Sequence, residues 1–196
     1  MKTYTKTAIT TEPKLVIEHD EYSTSPREWS NLGYFITVDR NYNSPDEQGK
    51  HRQDIIKETG ERATSQDEHI KLIKESWKMT TDEKVIAIYP VVKYEHSAVV
   101  YRLGTAHGFD YSNNGFYIIT DKTVKEVGVK KKDYEKVIED ELEVYTKWCN
   151  GECYQFCLYN EQGEVDDTCG GFYDIDDIKD HLSDEWKDED LSDYLI

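Results

Sequence analysis

The stretch VIAIYPVVKYEHSAVVYRLGTAHGFDYSNNGFYIIT, residues 85–120, decides the reading of the fold. It holds three apolar, β-rich runs: Val85–Tyr94, Ser97–Leu103 and Gly115–Thr120. The first two are apolar on both faces, the pattern of central strands covered on both sides. The link at Glu95–His96 is short enough for an antiparallel hairpin. Pro90 conflicts with an uninterrupted central strand and predicts a bulge or an edge there. Between the last two runs lies a polar loop, GTAHGFDYSNN, which carries His107 and Asp110.

Outward from this stretch, Lys14–His19 and Tyr34–Arg40 read as further strands. In the second, Tyr34, Ile36 and Val38 alternate with Phe35, Thr37 and Asp39. Ile55 and Ile56 mark a short helical turn before Gly60. A longer helix is predicted over Ser65–Lys78, with Ser65 as N-cap, Glu68 three residues on, and Ile70, Ile73 and Trp77 on one stripe. Thr120 caps a short helix in DKTVKEVG, which Gly128 ends. The strongest helical signal is Lys132–Trp148, where Tyr134, Ile138, Leu142 and Tyr145 recur at four, four and three. CYQFCLY and EVDDTCGGFY, joined by NEQG, form a hairpin in which Tyr154, Phe156 and Leu158 share one face. Together these predict one α+β domain over 1–173. Its sheet is mainly antiparallel, with five to seven strands and two principal helices packed on it.

Residues 174–196 read as an acidic helical C-terminal extension, with Ile175, Ile178 and Leu182 on one amphipathic helix and Trp186, Leu191, Tyr194 and Leu195 docking a second. Ten acidic residues face only Lys179 and Lys187 there, so this segment carries −8 of the chain's net −17. Such a charge opposes binding of DNA or RNA over the whole surface and favours a basic protein, or a nucleoprotein with positive grooves. Fifteen Tyr, four Trp and five Phe argue for a folded core despite 33% charged residues. The opening MKTYTKTAITTEPK has no apolar core of signal-peptide length, and no run approaches the roughly 18 apolar residues of a membrane span. A cytoplasmic chain with reduced thiols is the expectation.

Several separated segments resemble, in order, a family of poorly characterised bacteriophage proteins. SPREWSNLG (Ser25–Gly33) with VDRNYN (Val38–Asn43) resembles its Pro-Arg-x-Trp-x-Asn-Leu-Gly signature. YPVVKYEHSAVV (Tyr89–Val100), HGFDYSNNGFYIIT (His107–Thr120) and GEVDDTCGGFYD (Gly163–Asp174) are similar to its later segments. The family has a His in the loop where this chain has VDRNYNSPDE, and a Trp where this chain has Gly170. The resemblance implies a phage-encoded accessory protein acting in the host cytoplasm, and brings no agreed activity.

Four candidate sites follow. Asp20, Asn31, Asp39, His96, Asp110 and Asp167 offer oxygen ligands and one imidazole for calcium or magnesium, with Asp110, His96 and Asp39 at the centre. Against this, Asp110, Ser112, Asn113 and Asn114 also suit a loop that satisfies its own backbone. Cys149, Cys153 and Cys157 lack the paired spacing of a zinc ribbon, and Cys157 and Cys169 suit small core positions. A nucleophilic thiol would need His96 or His107 beside it. Lys130, Lys131 and Lys132, within Lys125–Lys136, could touch phosphates, although acidic neighbours suit a solvated helix start.

The fourth site is the acidic surface of Asp176, Asp177, Asp180, Asp184, Glu185, Trp186, Asp188, Glu189 and Asp190, readable as a phosphate-like decoy or as a solubilising tail. No P-loop, GxSxG, HExxH or dinucleotide fingerprint occurs. The expectation is a non-enzymatic counter-defence protein of anti-CRISPR or antirestriction type, without a cofactor, that binds a host defence complex. The alternatives are an RNA-carrying module engaging a host ribonucleoprotein, and a divalent-metal-dependent enzyme or binder centred on Asp110 and His96.

Overall fold

The computed structural model describes residues 14–38, 44–46 and 50–196. The chain is mixed α and β, with its described strands in two antiparallel sheets rather than one. It divides into two compact units, Ser25–Thr146, and residues 14–24 with Lys147–Ile196.

The unit Ser25–Thr146 is built on strands β2 (Tyr34–Thr37), β3 (Val85–Glu95), β4 (Val99–Leu103) and β5 (Tyr111–Thr120), in the order β2-β5-β3-β4. The β3–β4 hairpin is present, but β4 lies at the edge. β5 is buried from Gly115 onward. It begins at Tyr111, so the last four residues of the expected loop belong to the strand. Pro90 stays inside β3 because its carbonyl accepts Gly104 N–H just past the end of β4. Its missing donor therefore meets no ladder partner. Register shifts against β5 fall on both sides of it.

One face of this sheet presents Tyr34, Ile36, Phe116 and Ile118 to α1 (Lys50–Arg62) and α2 (Gln66–Thr80), through Ile55, Ile56, Ile73 and Trp77. The opposite face carries Phe35 and Tyr101, whose rings meet Tyr145 of α4 (Tyr134–Cys149) at 5.7 and 5.4 Å. Both faces of β2 are thus covered, and all four of its residues are buried.

α1 is longer than the turn expected at Ile55–Ile56 and runs through Gly60. A Cβ there would stand 3.1 Å from the His69 ring, so glycine gives α2 room. Ser65 caps α2 as the spacing predicts, accepting Glu68 N–H at 3.2 Å, while the Glu68 carboxylate turns back to Thr64. Thr120 and Gly128 bound α3 (Asp121–Val127) as expected.

The other unit holds β1 (Lys14–His19), β6 (Tyr154–Tyr159) and β7 (Val165–Phe172), in the order β1-β6-β7. Leu15, Ile17, Phe156 and Phe172 form its core with Ile178, Leu182, Trp186 and Leu191. The C-terminal segment is therefore packed against this sheet. It forms three 3-10 turns, Ile175–His181, Asp184–Trp186 and Leu191–Tyr194, rather than two amphipathic α-helices. Asp174 and Asp190 cap two of them by accepting Asp176 N–H and Ser192 N–H. Such local caps close short turns at the expense of a continuous helix. Among the described residues, no helix is long and apolar enough to cross a membrane.

Candidate functional site

The acidic surface is assembled by the buried residues that interrupt it. Ile178, Leu182, Trp186 and Leu191 point into the core, and the intervening Asp176, Asp177, Asp180, Asp184, Glu185, Asp188, Glu189 and Asp190 are exposed. Lys179 pairs with Asp176 at 3.0 Å and Lys187 with Asp184 at 2.7 Å. The lysine's hydrogen bond holds the Asp184 carboxyl below the usual carboxylate range, and bonds from Ser192 do the same for Asp190. Both are ionised at neutral pH.

Trp186, expected among the surface contacts, is instead a core residue. It is 9% exposed and packs edge-on against Tyr194 at 5.4 Å. The indole follows the apolar stripe of the segment rather than its acidic one.

The sequence signature at Ser25–Gly33 builds a buried ionic knot that residue spacing did not reveal. Arg27 donates from all five of its N–H positions: to both Asp46 oxygens at 2.8 and 3.1 Å, to Asn31 at 3.0 Å, to Glu141 at 2.9 Å and to the Gly33 carbonyl at 2.8 Å. Glu141 also accepts Leu32 N–H and a short bond from the Tyr117 hydroxyl, which itself accepts Gly33 N–H.

Burial alone would pull the Arg27 pKa down. The hydrogen bond and charge of Asp46, with Tyr117 and Glu141 behind them, more than reverse this. Burial, followed by the Glu141 charge, pushes the Tyr117 phenol well up. At Gly33 a Cβ would lie 2.5 Å from the Ile118 carbonyl oxygen, so the backbone approach requires glycine. Asn31, expected as a possible ligand, braces the Pro26 and Trp29 carbonyls.

A cavity of about 280 Å³ opens beside this knot, with Arg27, Asn31, Asp46 and Lys122 in its wall. Because every Arg27 donor is already used, the signature arginine is architectural. A clue was the pattern itself, an arginine between a proline and an Asn-Leu-Gly turn; the carboxylates that answer it lie 19 and 114 residues away.

The structure brings His96 and Asp110 within 3.9 Å, both substantially exposed. Asp39 lies outside the described residues. Asp20 accepts Tyr22 N–H and Gly171 N–H, and Asp167 accepts Thr168 N–H, both in the unit that lacks His96 and Asp110. Among the described residues, no group of three or more His, Cys, Asp or Glu is placed to hold a metal ion. At Gly170 a Cβ would stand 2.7 Å from Asp20 Oδ2.

None of the four cysteines is in a disulfide, and they belong to a different unit from His96 and His107. Cys153 is the buried one, beside the Tyr173 phenol. Cys169, expected in the core, is exposed because it lies on the edge strand β7, and Cys157 is half-buried. Lys130, Lys131 and Lys132 are exposed where a 3-10 turn leads into α4.

Comparison with protein-family models, with curated proteins and with solved structures found no match for this chain.

Proposed function

We propose that this protein is a non-enzymatic binding protein that occupies a positively charged surface on a protein or nucleoprotein partner through its C-terminal acidic face. The observation that carries the reading is the ordering of that face: eight exposed carboxylates are spaced along turns pinned by Ile178, Leu182, Trp186 and Leu191. A solubilising tail has no need of such anchoring. Carboxylates held on a packed scaffold keep their mutual spacing on binding, so the interaction is electrostatic and loses little conformational freedom.

The resemblance to bacteriophage proteins gives the partner its class. It is a host complex that targets nucleic acid, of CRISPR or restriction type, whose basic groove accepts acidic residues in place of phosphates. On this reading the protein works in the host cytoplasm as a counter-defence factor.

The test is capture of such a complex from bacterial lysate, with and without nuclease, by the wild type and by Asp176→Asn/Asp177→Asn/Asp180→Asn/Asp184→Asn. Direct binding that survives nuclease, competes with added nucleic acid and disappears in the quadruple variant supports the reading. Equal capture by both proteins excludes it.

A further inference from the structure

We propose that residues 104–110 form a preorganised loop that presents Phe109 as an aromatic anchor, for a protein pocket apolar at its floor and basic at its rim. Phe109 is fully exposed, at 103%. A lone exposed apolar side chain means little, but the backbone around this one is fixed. Asn113 mimics a strand partner: its Oδ1 accepts Ala106 N–H at 3.0 Å and its Nδ2 donates to the Ala106 carbonyl at 2.8 Å. Beyond the ring, the Asp110 carbonyl accepts Glu95 N–H at 2.9 Å, tying the loop to the end of β3.

Gly108, just before Phe109, has φ +147°, and a Cβ there would come within 2.9 Å of the Tyr111 ring. Tyr111 in turn packs on Tyr94 at 5.1 Å. The chain is held on both sides of Phe109 while the phenyl group itself stands in water.

An aromatic ring projected from an ordered loop has the character of a binding hot spot. It buries a large apolar area on docking, and the backbone that carries it needs no further ordering. The charge beside it selects the partner. Asp110 is adjacent and partly exposed, the Glu95 carboxylate is partly exposed and paired with Lys93 at 2.9 Å, and the chain as a whole is at −17. Stacking on a nucleobase would bring phosphates against these carboxylates, so the ring suits a protein pocket whose rim carries Lys or Arg. This inference rests on the reading above only for the positive charge of the partner. It adds a contact on the unit Ser25–Thr146, separate in sequence from the acidic face.

The experiment replaces Phe109 by p-benzoylphenylalanine in the full chain and, as a control, replaces Met79, an 86% exposed side chain at the end of α2. Both proteins are irradiated in nuclease-treated bacterial lysate. The expected result is a protein adduct at position 109 and none at 79, with the cross-link mapping to apolar partner residues flanked by Lys or Arg. Phe109→Ala then lowers recovery of that partner at least about tenfold at unchanged melting temperature.

Equal adducts at both positions, no adduct at 109, or recovery untouched by Phe109→Ala would overturn the proposal. The acidic quadruple variant separates the two readings. Capture lost there but kept in Phe109→Ala leaves the acidic face and removes the anchor; a 109 adduct that persists in the quadruple variant does the reverse.

Discussion

Replacing Arg27 by Met removes the one cation that joins Asp46, Glu141, Asn31 and the Gly33 carbonyl. Its side chain is 2% exposed, against 5% for Asp46 and 17% for Glu141, so the two carboxylates would face each other largely out of water. Removing one partner from a buried ion pair costs about 3–5 kcal/mol. The unmatched Gly33 carbonyl adds about 1 kcal/mol, giving roughly 4–6 kcal/mol in all. That is comparable with the whole stability of many domains, roughly 5–15 kcal/mol.

Arg27→Lys keeps the charge but offers three donors in place of five. It is expected to lose at least two bonds to acceptors that cannot be reached from one nitrogen, about 3 kcal/mol or more. The assay is native-state hydrogen exchange on the β2 and β5 amides, which isolates the unit Ser25–Thr146, backed by urea titration. A loss below about 1 kcal/mol in Arg27→Met would refute the claim that the signature is a structural knot. So would zero coupling between Arg27→Met and Tyr117→Phe in a double-mutant cycle, since groups in one network couple by about 0.5–3 kcal/mol.

Other outcomes follow from the same contacts. Tyr117 and Tyr173 keep their protons at pH values where the unfolded chain loses them, chiefly because burial disfavours the phenolate. Their contribution is complete below the ordinary tyrosine value of 10.0 and falls away as pH rises above it, so urea midpoints decline in that range. Tyr117→Phe should flatten the decline; an unchanged slope counts against the assignment. Trp186→Ala should destabilise the unit containing β1, β6 and β7 by about 3–5 kcal/mol in thermal or urea melts. The quadruple Asn variant of the acidic face should melt close to the wild-type temperature, because the exposed pairs with Lys179 and Lys187 that it loses contribute little and the relief of like-charge repulsion offsets them. Added salt should raise the wild-type melting temperature by screening that repulsion, and a fall with salt would contradict it. Asp110→Ala should change stability by less than about 1 kcal/mol, since its pairing with His96 is solvent-exposed.

Local chemistry was legible in the sequence. The N-caps Ser65 and Thr120, the C-cap Gly128, the buried stripe Tyr134-Ile138-Leu142-Tyr145, the strand Lys14–His19 and the β6–β7 hairpin all follow from residue types a few positions apart. So does the acidic character of residues 174–196, which is a matter of composition.

Tertiary pairing decided what composition and period could not. β1 pairs with β6 in a register that sets Ile17 opposite Phe156, and this long-range choice splits the strands between two sheets. A period of two specifies the buried face of a strand but not its neighbour. The edge position of β4, and with it the tolerance of Pro90, belongs to the same level. Arg27 in the sequence is a cation in a polar segment. It becomes a buried knot only when Asp46 and Glu141 converge on it, because the cost of burying the guanidinium is offset by acceptors that only the fold brings together.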